Sequence, residues 1–230
     1  GIVLLEKVIS VLALSAALLD GSMDAAMPDK NIDGKIYLVN RQHALSSRYV
    51  PSDLRDVLAH GISQDMRSEA ADALEALFEE AKAAGVPLST VSGYRSYSKQ
   101  STIYQRKVDS IGRKDADRIS ARPGTSEHQL GLAMDVAKKG SSQLNKAFGE
   151  TEQGIWLKEN AHRFGFIVRY LDGYEDITGY DYEPWHIRYV GVEYATAIYQ
   201  SGVPMETYMS GHRLERFDYL IHQATNEVLP

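Results

Sequence analysis

The chain has 230 residues, 43% hydrophobic and 24% charged, with a formal net charge of −6 and no cysteine. That balance fits one substantial globular domain, or one domain with a terminal appendage. The negative charge, with no Lys/Arg-rich run, P-loop or Gly-x-Gly-x-x-Gly after a strand, argues against nucleic acid as the main partner, and the missing cysteines exclude disulfides, thiolate metal sites and a cysteine nucleophile.

Ile2 to Leu19 is mostly apolar, and from Val8 to Leu19 only Ser10 and Ser15 break the run. A signal-peptide core or the stub of a membrane anchor has this composition. Glu6 and Lys7 interrupt its front, no basic segment precedes it, and the uninterrupted part is too short to span a bilayer. An amphipathic helix packed on the domain is therefore the competing reading. Residues 1–30 are expected to form this apolar helix and a linker, and 31–230 a single α+β domain, a small antiparallel sheet flanked by helices. Residues 20–51 read as a turn-rich linker with a short strand, Ile36 to Val39. Ser52 is placed to N-cap a short helix through Leu58. Met66 to Ala84 is the clearest helix: Ala70, Ala73, Leu74, Leu77, Phe78 and Ala81 recur at three and four residues, and Gly85 stands at its stop. A strand is expected over Leu88 to Ser92, a polar helix from about Ser98 to Ile111, and a charged loop from Gly112 to Thr125. Gly131 to Val136 reads as a strand, Glu152 to Arg163 as a helix ended by Phe164-Gly165, and Phe166 to Tyr170 and Trp185 to Val190 as strands. A helix over Val192 to Tyr199, a break at Gly202-Val203-Pro204, and a final helix from about Met205 to Thr225 complete the pattern.

Two segments carry chemistry: Ser126-Glu127-His128-Gln129-Leu130-Gly131-Leu132-Ala133-Met134-Asp135 and Glu183-Pro184-Trp185-His186. Two histidines and two carboxylates suffice for a catalytic zinc site with three protein ligands, an open position and a general base. In a strand from Gly131, side chains alternate, so Leu132, Met134 and Val136 face the core while Gly131, Ala133 and Asp135 leave room beside the aspartate. His128 has the wrong parity for that face and must come from the preceding loop. Glu183 and His186, three apart, converge only if Pro184 bends the chain or ends the strand. His162, beside Trp156 and Phe164, reads as a packing residue. His43, His60, His212 and His222 have no ligand partner at motif spacing, and Asp172 to Asp176 reads as a solvated turn.

SEHQLGLAMDV and EPWHIRYVG, with SGYRSYSKQ upstream, closely resemble the VanY-type D-alanyl-D-alanine carboxypeptidases. These small zinc peptidases share a group with D-Ala-D-Ala dipeptidases and some phage endolysins. The likeness covers about residues 85–195, with the three segments in the family's order. It implies that Zn2+ is held by His128, Asp135 and His186, with Glu183 as general base for a metal-activated water. It implies that Arg95 binds substrate, with Ser126 assisting, and Gln100, Tyr97 and Tyr180 as further substrate-binding candidates; Tyr182 is weighed with Tyr180 as pocket lining. Arg95 suits either of two roles, sharing a developing oxyanion or clamping a terminal carboxylate with its planar fork. The implied substrate is the peptidoglycan stem peptide, which places the protein outside the cytoplasm, in periplasm or envelope, with membrane association through the N-terminal segment. Removal of the terminal D-Ala from D-Ala-D-Ala is the leading expectation. An L,D-carboxypeptidase acting on tetrapeptide stems, an endolysin-type endopeptidase and a non-catalytic zinc module like the hedgehog domains are the alternatives.

Overall fold

The computed structural model describes residues 32–62 and 64–211. The apolar run from Ile2 to Leu19, the linker as far as residue 31 and the final helix beyond residue 211 lie outside the described residues. Leu38–Pro204 form one compact unit; residues 1–37 and 205–230 form a second. Of the second, 32–36 are turns and bends and 205–211 are helical, with Met205 and Met209 buried.

The larger unit is built on a four-stranded antiparallel sheet. Its elements in chain order are β1 (Leu54–Asp56), β2 (Asp65–Arg67), α1 (Ser68–Ala83), β3 (Leu88–Ser92), α2 (Tyr97–Ile111), α3 (Arg113–Ile119), β4 (Ala133–Lys138), α4 (Glu152–Asn160), β5 (Phe166–Tyr170), α5 (Glu175–Thr178), β6 (Glu183–Tyr189) and α6 (Val192–Ser201). The sheet order is β3-β4-β6-β5, with β1 and β2 a separate antiparallel pair. Short 3-10 turns at Glu127–Leu130, Lys146–Glu150 and Ala161–Phe164 link these elements. This is the α+β architecture expected from the sequence.

The core follows the hydrophobic pattern. Helix α1 buries Ala70, Ala71, Leu74, Leu77, Phe78 and Ala81, a stripe at helical spacing that differs from the expected one by Ala71 in place of the half-buried Ala73. It packs on β1, β2, β3 and α4, while α6 packs on β5. Strand β4 is buried from Ala133 to Ala137, as a central strand covered on both faces must be.

Four expectations need correction. Residues 36–39 are not a strand: Ile36 and Val39 are buried, but the run ends in a tight turn where Asn40 Oδ1 accepts from the backbone N–H of Gln42 and His43 at 2.9 and 3.1 Å. Ser52 caps no helix, because Leu54–Asp56 pair with Asp65–Arg67 instead, anchored by Arg67 Nε on Asp53 Oδ1 at 2.8 Å. The same pairing takes Met66 and Arg67 into β2, so α1 starts at Ser68. The charged loop contains helix α3, which buries Ala116; Arg and Lys are good helix formers, and their charge does not mark a loop.

Candidate metal centre

The site lies where β4 and β6 run side by side. Antiparallel register sets Asp135 directly opposite His186, so the two side chains leave the same face of the sheet. Glu183 has the wrong parity for that face in a regular strand. Pairing with β5 shows how it gets there: Val168 pairs with Ile187 and Tyr170 with Glu183. One residue on β5 thus faces three on β6, and a bulge at Pro184–His186 breaks the alternation. Pro184 lies inside the strand rather than ending it. The result is Glu183 Oε2 at 3.9 Å from His186 Nδ1.

His128 enters from the turn Glu127–Leu130. The Ser126 hydroxyl accepts from the backbone N–H of His128 at 3.3 Å, and Gly131 closes the turn with φ +70°, which is why the strand begins at Ala133 and not at Gly131. A Cβ at Gly131 would also meet Leu54 Cδ2 at 2.7 Å. The segment after β3 is tied to this turn twice: the backbone N–H of Arg95 donates to the His128 carbonyl at 3.2 Å, and the Gly93 carbonyl lies 2.8 Å from His128 Nδ1. A carbonyl only accepts, so Nδ1 carries the proton and Nε2 presents its lone pair.

That lone pair faces Asp135 Oδ2 at 3.4 Å. His186 is held in mirror fashion, with Nε2 at 2.8 Å from Glu127 Oε1 and Nδ1 at 2.9 Å from Asp135 Oδ1. The imidazoles meet edge to face, with centroids 4.9 Å apart. One ligand atom from each of His128, Asp135 and His186 lies within 4.8 Å of the others, all three residues buried, and this is the one such His/Asp/Glu group among the described residues. Two imidazole nitrogens turned inward by outer hydrogen bonds, plus a carboxylate, are the donor set that suits zinc.

Electrostatics separate the carboxylates. Burial pushes Glu183 up to about 8, helped by the neighbouring charges of Asp135 and Glu127 and opposed by His186 and Arg95. Burial acts the same way on Asp135, but the two histidines outweigh it and hold this carboxyl well below its usual range. For His128, burial and then the Arg95 charge lower the imidazole and keep it neutral. For His186, hydrogen bonds to Asp135 and Glu127 outweigh burial and raise it to about 10; a metal ion at Nδ1 would displace the proton there. Two carboxyls with opposite shifts beside one cluster divide naturally into a ligand and a proton acceptor.

The other sequence candidates are distributed unevenly. Arg95 is half-buried, and its Nε is buried with no hydrogen-bond partner among the described residues; Asp135 and Glu183 are the carboxylates that act on its charge. Ser126 is buried at the head of the His128 turn. The Gln100 amide donates to the Ala121 carbonyl at 2.7 Å, bracing the loop before Ser126. Tyr97 lies in that region too: a Cβ on Gly124 would come within 3.3 Å of its ring. Tyr180 is buried against Tyr170, 4.7 Å between centroids, whereas Tyr182 lines a different cavity. That cavity, about 850 Å3 between α4, β5 and α6, includes His162 and Tyr199 but none of the ligand cluster, Glu183 or Arg95. His162 stacks on Tyr199 at 4.0 Å, in keeping with a packing role.

Two residues at the site were missed from sequence. Tyr170, at the end of β5, places its ring 4.9 Å from that of His186 and had no motif to mark it. Glu127 is fully buried and hydrogen-bonded to His186, Arg169 and Arg188. A signal for it was present: Arg169 and Arg188 interrupt apolar strands, and an arginine buried in a sheet needs a carboxylate.

Comparison with known proteins identifies the family. The family model for VanY, D-alanyl-D-alanine carboxypeptidase, matches residues 63–192. The YodJ protein of Bacillus subtilis is 45% identical over 186 residues, covering 78% of this chain and 68% of YodJ. A D-alanyl-D-alanine carboxypeptidase of Enterococcus faecalis is 40% identical over 185 residues, covering 76% of this chain and 65% of its own. The chain thus spans about two thirds of the length of both relatives. Among solved structures, the LdcB LD-carboxypeptidase superposes with a TM-score of 0.73 at 44% identity, covering 78% of this chain and 87% of LdcB. A vancomycin-resistance D,D-pentapeptidase VanY variant in complex with Zn(II) gives a TM-score of 0.67 at 38% identity, covering 76% and 98%. Fold and site together define an enzyme of the carboxypeptidase class. The chain belongs to the VanY D-alanyl-D-alanine carboxypeptidase family.

Proposed function

We propose that this protein is a zinc carboxypeptidase that removes the terminal D-alanine from peptidoglycan stem peptides, acting on the D-Ala-D-Ala end. The observation that carries the reading is the convergence of His128, Asp135 and His186 within 4.8 Å beside Glu183, a carboxyl pushed up to about 8. His128 Nε2, His186 Nδ1 and Asp135 would hold the ion. A zinc ion there supplies Lewis-acid polarisation of the scissile carbonyl and lowers the pKa of water to about 7.

The chain's own residues do the rest. Glu183, whose carboxylate form the charge of a bound zinc ion would favour, accepts a proton from the attacking water and passes it to the nitrogen of the departing D-alanine. Water oxygen bonds to the carbonyl carbon as the C–N bond breaks, so the products are a shortened stem and free D-alanine. Arg95 brings a guanidinium whose buried Nε has no partner of its own. A substrate carboxylate would satisfy that group, and charge-assisted bidentate pairing is what a guanidinium offers best. This assigns Arg95 to the terminal carboxylate and makes the enzyme an exopeptidase. Ser126 and Tyr180 join Arg95 as substrate-side groups, with Gln100 and Tyr97 supporting the loop that carries Ser126. The substrate places the enzyme outside the cytoplasm. Residues 31–230 form the peptidase domain in this reading, with 1–30 an apolar segment and linker. No helix among the described residues is long and apolar enough to cross a membrane; membrane association through the N-terminal segment is part of the proposal.

A second reading, L,D-carboxypeptidase action on tetrapeptide stems, is favoured by one observation: the likeness to LdcB, at 44% identity and a TM-score of 0.73. Incubation with synthetic penta- and tetrapeptide stems, with and without chelator, followed by mass analysis, separates the two. Release of D-alanine from the pentapeptide, abolished by chelator and restored by zinc, is the expected result. Release from the tetrapeptide alone establishes the second reading, and no release from either stem with zinc present overturns both.

A further inference from the structure

Glu127 lies between two residues given roles above, Ser126 and His128, yet takes no part in the chemistry proposed for them. Its side chain is 0% exposed, as are those of Arg169 and Arg188. Strand geometry explains the encounter. Arg188 follows His186 by two residues on β6, and Ile167, its partner on β5, precedes Arg169 by two. His186, Arg188 and Arg169 therefore share one face of the sheet, and the turn Glu127–Leu130 lowers a carboxylate onto that face. One oxygen, Oε2, accepts from Arg169 Nε and from Arg188 Nη1, each at 3.1 Å. The other, Oε1, is left to accept from His186 Nε2 at 2.8 Å.

We propose that Glu127, clamped by Arg169 and Arg188, is a positioning residue that fixes the ring and tautomer of His186 and thereby strengthens zinc binding. The inference rests on the metal site proposed above. An imidazole can rotate about its bond to Cβ and can carry its proton on either nitrogen. A carboxylate pinned at one oxygen by two guanidinium groups cannot turn away, so its other oxygen holds Nε2–H in place and leaves Nδ1 to the ligand cluster. His128 is oriented by a backbone carbonyl, a weaker and neutral acceptor. The two ligand histidines therefore have unequal support, and the charged support is on His186. Loss of an outer partner of this kind typically weakens metal affinity about 10–100-fold.

The competing explanation is that Glu127 only neutralises two buried arginines. Two variants divide the readings. Glu127→Asp keeps the negative charge but draws it back from the imidazole by one methylene. The double variant Glu127→Gln with Arg169→Met removes one charge of each sign and restores the local balance. Zinc dissociation constants are measured by chelator competition on the full chain, and thermal midpoints are recorded alongside. A stoichiometric zinc in the unaltered protein, with affinity weakened about tenfold or more in Glu127→Asp, and in the double variant if it folds, supports the positioning role. Unaltered zinc affinity in Glu127→Asp, or in a folded double variant, overturns it. Absence of zinc binding by the unaltered protein overturns the metal site itself, a failure visible before either variant is made.

Discussion

Charges are paired in two contrasting settings. Beneath the candidate metal centre, Glu127, Arg169 and Arg188 have side chains with no exposure. On the outer surface, Arg55 spreads over Glu75 and Asp72, with 30%, 24% and 74% exposure, and Asp117 meets Arg122 with 16% and 52%. The inner cluster is costly to build, since desolvating each ion costs several kcal/mol and an apolar replacement of equal volume is often as stable. The outer pairs cost little and contribute roughly 0.2–1 kcal/mol each. Stability is thus a sufficient explanation for the outer pairs and a poor one for the inner cluster, whose place against His186, a proposed metal ligand, points to alignment.

The largest expected effect tests the inner region's least compensated carboxyl. Glu183→Gln should lower kcat by about 10²–10⁴-fold while zinc content is unchanged, measured by D-alanine release and metal analysis. Turnover close to that of the unaltered enzyme would remove Glu183 from the proton-transfer role. Stability should move the other way. Glu183 is raised to about 8 in the folded chain against about 4.3 when unfolded. Folding therefore favours its neutral form, and stability falls as pH rises from about 4.3 through about 8. Glu183→Gln in chelator-treated protein should equal or exceed the unaltered chain in stability above pH 8.

Next in size is Arg188→Met, which leaves Glu127 with one guanidinium. Breaking a buried ion cluster from one side costs about 3–5 kcal/mol, readable in urea denaturation. A loss below 1 kcal/mol would erase the contrast with the surface pairs. Arg95→Lys should act chiefly on substrate binding, raising KM about tenfold for loss of the planar fork, with a smaller change in kcat. A fall in kcat at constant KM would move Arg95 from the carboxylate to the oxyanion.

Much of this was legible in the residue pattern, and the remainder fails for identifiable reasons. Strand Leu88–Ser92 was readable from its place between Pro87 and Gly93, and Phe166–Tyr170 as a short, mostly apolar run after Gly165. The segments bearing His128, Asp135, Glu183 and His186 were readable as sets of metal-binding residue types, and the parity argument required an irregularity between Glu183 and His186, where β6 has a bulge. What no local signal carried was pairing at a distance. Leu54–Asp56 look like the start of a capped helix until Asp65–Arg67 come alongside. Glu127 has no partner within its own segment until two strands some forty and sixty residues later deliver its arginines. Tyr170 reaches His186 only through the register of β5 on β6.

The smallest effect belongs to the outer region and checks its sign. Arg122 bonds Asp117 at both oxygens, 3.0 and 2.7 Å, and Tyr104 donates to it at 2.7 Å. Hydrogen bonding to Arg122 is the main cause that brings Asp117 down to about 2. A carboxyl lowered on folding stabilises above its unfolded value of about 3.9 and loses that contribution as pH falls through about 2. With Arg122 half exposed, solvent screening limits the gain, so Asp117→Asn should cost about 1 kcal/mol or less at pH 7. The gap between Asp117→Asn and the unaltered chain, followed by denaturation from pH 7 to pH 2, should close toward the acid end. A gap of 3 kcal/mol, or one that persists at pH 2, would mean that this exposed pair behaves like the buried cluster and that exposure does not separate the two regions.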